Sequence, residues 1–373
     1  MTVTTVKWTA ADYRFMARAI RLAARGLYST QPNPRVGCVL VQGDRIVGEG
    51  WHEAAGGPHA EIHALEQAGA GAAGATCYVS LEPCNHQGRT PPCTEALIRA
   101  GVGRVIAAMT DPDPRMAGKG LARLGEKGID TAHGLLEAQA ASLNRGYVRR
   151  LTGGLPLVRC KQAVSLDGRT AMASGESKWI TGEAARRDVQ RLRARSCAVL
   201  TGIGTVLEDD PRLDVRHVSL PPQRRPLRVV LDRELRMPAD ARMLSIPGRV
   251  LIFSHDADNS YKHGVLNGAG AEVIILEERD FLRGVLKYLA GKEQVNEVLV
   301  EAGATLAGAL LQDGLIDELI LYQAPIILGD SARGLFHLPH LQNMKDRVEL
   351  SLTECRRVGG DIRLRFAVGK QKP

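Results

Sequence analysis

The chain has 373 residues, 44% of them hydrophobic and 24% charged, with a net charge of +8 and a pI of about 9.2. That balance fits about two soluble globular domains and excludes a membrane-spanning protein, since no apolar run approaches the length of a span. The N-terminus lacks a signal-peptide core, so a cytoplasmic protein is expected, and the dispersed positive charge favours phosphorylated small molecules over nucleic acid.

In the first half, a helix is expected from near Thr9, with Asp12 completing a capping box, to Gly26. Val36–Val41 and Ile46–Gly48 read as a hairpin about Gly43-Asp44. A helix follows from Pro58-His59 toward Gly69, then a strand over Thr76–Leu81, a helix over Thr94–Ala100 and a strand over Arg104–Met109. Helical stretches around Leu121 and Ala138 complete a three-layer α/β sandwich. The Gly153-Gly154 pair before Pro156 reads as loop, which divides the chain into domains 1–152 and 153–373.

The second half alternates again. Strands are expected at Leu157–Ala163, Ala198–Thr201, Val229–Leu231, Val250–Phe253, Val273–Leu276 and Val298–Val300, with later ones near Glu318–Tyr322 and Ile362–Val368. Helices are expected around Ala184–Arg195, Phe281–Leu289 and Leu306–Leu311. On the first of these, Ala185, Val189, Leu192 and Ser196 form an inward stripe, while Arg187, Arg191 and Arg195 fall on the solvated side. Arg186 and Arg193 lie at the stripe's edge, where a guanidinium can meet a phosphate.

Of the seven cysteines, Cys38, Cys77, Cys160, Cys197 and Cys355 sit in strand-like runs and read as small buried hydrophobes. Cys84 and Cys93 differ, because prolines flank both in a turn-rich stretch. With His59 they supply one imidazole and two thiolates, three ligands for one Zn²⁺ with the fourth tetrahedral position open, which is the catalytic arrangement. Glu61, two residues after His59 on a helix start, does not share its face and is better placed as a proton shuttle than as a fourth ligand. The pattern is that of zinc-dependent nucleobase deaminases, except that the second cysteine comes later than in P-C-x-x-C.

These residues resemble a known family. Gln31-Pro32-Asn33-Pro34-Arg35-Val36-Gly37, Pro58-His59-Ala60-Glu61 and the run from Leu81-Glu82-Pro83-Cys84 to Pro91-Pro92-Cys93 are similar to the deaminase half of the bifunctional riboflavin-biosynthesis deaminase–reductases. Ser165–Ala171, Gly202–Leu207, Asp209-Asp210-Pro211 and Val300-Glu301-Ala302-Gly303 are similar to the reductase half. The resemblance covers nearly the whole chain. It implies a cytidine-deaminase-like domain followed by a dihydrofolate-reductase-like α/β domain. The implied reactions are deamination of a phosphoribosylaminopyrimidine and reduction of its ribosyl group with NADPH.

By the matched positions, Asn33, His52, His86 and Arg89 line the deaminase pocket. Read from residues alone, Asn33 between two prolines serves equally well as a turn former. In the reductase half the resemblance selects Lys161, Ser177, Arg193, Leu213, Arg216 and Glu301 for substrate. For cofactor it selects Ala163, Trp179, Thr205, Asp209 and the segment Gly303, Ala304 and Thr305. Asp209 and Glu301 are the candidate proton donors. Arg233 stands where the family usually has serine, and could instead meet the phosphate that distinguishes NADPH. Without the resemblance, Gly202-x-Gly204 lacks the third glycine of a dinucleotide fingerprint and reads as well as a tight turn.

Two other readings compete: a tRNA or nucleic-acid deaminase with an accessory domain, and a zinc-stabilised scaffold in which Glu61 is dispensable. A small-molecule enzyme with no nucleic-acid or membrane partner, assembled as a homodimer, is the expectation carried forward.

Overall fold

The computed structural model describes residues 7–86, 91–221, 223–277 and 279–369. It divides into two compact units, Met1–Gly154 and Leu155–Pro373. No helix among the described residues is long and apolar enough to cross a membrane.

The first unit runs α1 (Ala10–Ala23), β1 (Gly37–Gln42), β2 (Arg45–Trp51), α2 (Ala60–Ala68), β3 (Thr76–Val79), α3 (Cys93–Arg99), β4 (Arg104–Ala107), α4 (Lys119–Glu126), β5 (Asp130–His133), α5 (Glu137–Leu143) and α6 (Arg145–Gly153). Thr9 caps α1, and Asp12 closes the capping box. The strands form a sheet in the order β2-β1-β3-β4-β5, antiparallel about β1 and parallel from β3 onward.

Side chains alternate across that sheet. Cys38, Leu40, Cys77, Val79 and Val105 face α2, α3 and α4 through Ala60, Ala64, Leu97 and Leu124. Val39, Val41, Tyr78 and Ile106 face α1 and α5 through Phe15, Met16, Ala19 and Ala140. This is the expected three-layer sandwich. Strand β5 and helix α6 were not anticipated: β5 is a short, half-polar edge, and α6 continues through residues read as loop until Gly154 ends it at φ 67°.

The second unit runs β6 (Leu157–Val164), β7 (Arg169–Ala171), α7 (Glu183–Arg195), β8 (Ala198–Gly202), α8 (Ile203–Asp209), β9 (Leu227–Leu231), β10 (Val250–Ser254), α9 (Ser260–Gly268) and β11 (Ala271–Ile275). It continues with α10 (Phe281–Gly291), β12 (Glu297–Val300), α11 (Ala304–Gln312), β13 (Glu318–Gln323), β14 (Arg333–Gly334), β15 (Leu350–Val358) and β16 (Asp361–Val368). The main sheet has the order β11-β10-β9-β8-β12-β6-β13-β16-β15, parallel as far as β13 and antiparallel beyond it.

Helices α10 and α11 cover one face, through Val285, Leu289, Leu310 and Leu311. The other face is covered by α8 and α9, through Val206 and Leu266, and by α7 through Ala185, Val189 and Leu192. Helices on both faces explain why the parallel strands read as short continuous apolar runs.

Three details differ from expectation. Gly202-x-Gly204 is no tight turn, since Gly202 is the N-cap of α8. Arg195 is not solvated: its Nε lies 3.3 Å from the buried Glu297 carboxylate, because β12 passes beneath the end of α7. Arg187 and Arg191 are exposed as expected. Cys38, Cys77, Cys160 and Cys197 are buried, but Cys355 is exposed on β15, which has no neighbour on its outer side among the described residues.

Candidate active sites

In the first unit, α2 lies close on β2 because that strand offers Gly48 and Gly50. A Cβ at Gly48 would stand 2.1 Å from the Ala64 carbonyl oxygen, and one at Gly50 would stand 2.7 Å from that of Ala60. This packing fixes the start of α2, where His59 is the N-cap and Glu61 points inward, 3% exposed. Cys84 follows β3 and Cys93 opens α3. The ligand atoms of His59, Cys84 and Cys93 all lie within 4.8 Å of one another. His59 Nδ1 is 3.2 Å from Cys93 Sγ and 3.5 Å from Cys84 Sγ, and the Cys93 amide donates to Cys84 Sγ at 3.3 Å.

Hydrogen bonds from Cys93 and His59 hold the Cys84 thiol down at about 4, although burial opposes them. The reciprocal hydrogen bond with Cys84 raises His59, and bonding to Cys84 together with burial raises Cys93. Burial, then the charge of Cys84, pushes the Glu61 carboxyl up to about 7. One imidazole and two converging thiols, with a buried carboxyl beside them, fit a zinc ion with three protein ligands.

His52 stands edge-on to His59, ring centroids 5.4 Å apart. Its Nδ1 donates to the Pro58 carbonyl at 2.9 Å, so Nε2 accepts from Asn33 Nδ2 at 3.1 Å. Burial lowers the His52 pKa, in keeping with that neutral form. The Asn33 loop is itself tied down: the Arg35 amide donates to Asn144 Oδ1 at 2.8 Å, and Asn144 Nδ2 returns a bond to the Arg35 carbonyl at 2.9 Å. Asn33 and His52 are thus brought to the triad. His86 is exposed on the loop after Cys84, on the side of Asp111 and Asp113. Arg89 lies outside the described residues.

In the second unit the chain proceeds from β8 to β9, β10 and β11 on one side, and from β12 to β13 on the other. The carboxyl ends of the adjacent strands β8 and β12 therefore form a topological switch point, the place where open α/β sheets bind ligands. Glu301, Ala302 and Gly303 follow β12, and α8 and α11 begin there on Gly202 and Gly303, neither with a side-chain cap. A Cβ at Gly202 would come 3.3 Å from Leu306, so the two helix starts are close.

Glu301 pairs with Arg193 Nε at 2.5 Å and Lys161 Nζ at 3.2 Å. Burial alone would raise its carboxyl, but Arg193 and then Lys161 outweigh burial and hold it at about 2. Arg193 also donates to the Asp214 carbonyl at 2.9 Å, which fastens the loop carrying Leu213 and Arg216. Leu213 is buried with φ 50°; the Arg216 amide donates to Gln190, leaving its guanidinium exposed.

Asp209 ends α8 and pairs with Lys178 Nζ at 3.0 Å. Trp179 is 71% exposed, with the Arg186 guanidinium 4.6 Å from its ring centre. Thr205 and Ala304 are half-buried in the first turns of α8 and α11, Thr305 is exposed in the latter, and Ala163 pairs with Tyr322 across β6 and β13. Ser177 is half-buried before α7. Arg233, just beyond β9, is exposed and stacks 5.1 Å from the Phe281 ring. The open first turn of α11 and the cationic groups near it fit an anionic dinucleotide at the switch point.

Sequence reasoning overlooked Glu82, Asp111 and Lys178. Burial pushes the Asp111 carboxyl up. Glu82 stands inside the Leu81–Cys84 run quoted above but was given no role there, and the only signal for the other two was adjacency, to the end of β4 and to Trp179.

Comparison with known proteins places both units. Residues 9–109 match the cytidine and deoxycytidylate deaminase zinc-binding region, and residues 156–364 match the RibD C-terminal domain. The chain is 50% identical to the riboflavin biosynthesis protein RibD of Escherichia coli (strain K12) over 362 residues, covering 94% of this chain and 98% of that protein. It is 48% identical to RibD of Haemophilus influenzae over 373 residues, covering 97% and 98%.

Among solved structures, Acinetobacter baumannii RibD superposes with a TM-score of 0.89 at 48% identity, covering 96% of this chain and 99% of that one. A Thermotoga maritima diaminohydroxyphosphoribosylaminopyrimidine deaminase/5-amino-6-(5-phosphoribosylamino)uracil reductase superposes with a TM-score of 0.85 at 32% identity, covering 96% and 99%.

Proposed function

The chain belongs to the bifunctional deaminase–reductase family of riboflavin biosynthesis, and on that premise we propose how its own residues carry out the two reactions. It is an enzyme with a zinc-binding deaminase domain and a reductase domain. Its substrate, on our reading, is 2,5-diamino-6-(5-phosphoribosylamino)pyrimidin-4-one. Water enters and ammonia leaves in the first step, and the ribosyl group becomes ribityl in the second. The convergence of His59, Cys84 and Cys93 beside buried Glu61 is the observation that carries the first half.

His59 Nδ1, Cys84 Sγ and Cys93 Sγ would hold zinc, which supplies Lewis acidity when bound. Glu61 takes a proton from the attacking water and passes it to the departing amine. Asn33, oriented by His52, presents its amide to the pyrimidine edge, and His86 and Arg89 bind at the pocket mouth.

In the reductase, NADPH supplies hydride when bound. We assign its binding to Ala163, Trp179, Thr205, Asp209, Arg233 and Gly303–Thr305, and that of the sugar phosphate to Lys161, Ser177, Arg193, Leu213 and Arg216. Glu301, held ionised by its two cations, orients Lys161 and Arg193 and is a poor proton donor at neutral pH. Asp209, the other acidic group at the switch point, is paired with Lys178 Nζ at 3.0 Å. We take the domain boundary just past α6, at the 154/155 division of the two units and two residues beyond the 152/153 expected from sequence, and place the enzyme in the cytoplasm as a homodimer.

The test is mass spectrometry of the diaminopyrimidinone phosphoribosyl compound incubated with enzyme, with and without NADPH. Amino-to-carbonyl exchange should occur without NADPH, and two hydrogens should be added with it. Deamination with no reduction would sink the assignments in the second unit. The nucleic-acid reading is not favoured, because residues 156–364, which it leaves without a role, match the reductase family.

A further inference from the structure

The turn presenting Cys84 is clamped by a carboxylate that neither reaction uses. Glu82 is buried, and its two oxygens accept four backbone N–H groups. Oε2 accepts from Asp111 at 3.0 Å and Gly118 at 2.9 Å; Oε1 accepts from Gly120 at 2.8 Å and Leu121 at 3.2 Å. That is about the full capacity of an ionised carboxylate. Gly118, the N-cap of α4, has φ 77° and no side chain with which to cap the helix. Glu82 therefore caps α4 from outside, and its negative charge suits that end of the helix.

The contact is tight, since a Cβ on Gly120 would lie 2.2 Å from the Pro83 carbonyl oxygen. From the other side, the Thr94 amide donates to the Cys84 carbonyl at 3.2 Å, and Thr94 Oγ1 donates to Asn85 at 2.9 Å. The turn is thus gripped between α4 and α3, and Cys93 is the first residue of α3.

We propose that Glu82 is a positioning residue of the metal site: by seating the start of α4 against Pro83, it sets where Cys84 Sγ lies relative to His59 and Cys93. This rests on the zinc reading of that triad. A glutamine at 82 keeps the volume but sets its own N–H groups against two of the amides, so the turn must shift to relieve them. Metal sites respond to such outer contacts by about 10- to 100-fold in affinity.

The test uses full-length wild type, Glu82→Gln and Gly120→Ala, the last keeping the carboxylate while pushing α4 off Pro83. Zinc release to a chromophoric chelator and the visible spectrum of cobalt-substituted protein are measured, with thermal melting and reductase activity recorded alongside. Both variants should release zinc about 10-fold faster or more and show shifted cobalt bands, with reductase activity kept. Should Glu82→Gln fail to fold, Gly120→Ala gives the same readout. Unchanged release and cobalt bands, even with a lowered melting temperature, would make Glu82 merely structural and overturn the proposal. A wild type that binds no zinc would overturn the triad reading itself.

Discussion

Glu61 is buried and Glu301 nearly so, yet their surroundings drive the two carboxyls in opposite directions. Burial and the nearby Cys84 push Glu61 up to about 7, whereas Arg193 and Lys161 overcome burial and hold Glu301 at about 2. The first suits proton exchange near neutral pH and the second a fixed charge. Glu61→Gln should lower the deaminase kcat by about 10²- to 10⁴-fold, leaving zinc content and reductase rate unchanged; metal analysis and the two separate assays check this. Glu301→Gln should destabilise the second unit, and urea unfolding followed against pH will show when. Because the folded value lies below the ordinary 4.5, the wild-type advantage is full above about 4.5 and shrinks as pH falls toward 2.

At the scale of elements, both sites depend on how helix starts are held. The Thr9–Asp12 capping box secures α1, whose Phe15, Met16 and Ala19 back the sheet beneath the deaminase site. Thr9→Ala should cost about 1 kcal/mol by denaturant unfolding, with deamination retained at moderate temperature. In the second unit, Arg159 joins β6 to both neighbouring strands, at 2.5 Å from Glu297 on β12 and 2.5 Å from Glu318 on β13. All three side chains are 5% exposed or less. Arg159→Met leaves two buried carboxylates without that cation and should cost about 3 kcal/mol in urea unfolding.

For the whole molecule, two activities on two compact units predict separable losses. Zinc removal by a chelator should abolish deamination and leave reduction of the deaminated compound intact; restoring zinc should restore the first. Limited proteolysis should cut first near Thr152–Gly154, whose residues are exposed, and the fragments can be identified by mass.

The sequence by itself determined the three-layer first half and the alternation of the second, because burial on one or both faces leaves its period in the chain. It also singled out His59, Cys84, Cys93 and Glu61, which the structure brings together, since a histidine, a glutamate and proline-flanked cysteines have few other uses together. Only the tertiary structure decided which strands adjoin. Sequence spacing cannot reveal that β12 inserts between β8 and β6, and that insertion makes the switch point and brings Glu301 to Arg193 and Lys161. It likewise decided that Arg195 is paired rather than solvated, and that Glu82 grips amides 29 to 39 residues away. Local pattern records whether a side chain is buried; which partner meets it there is a long-range fact, fixed when distant segments pack.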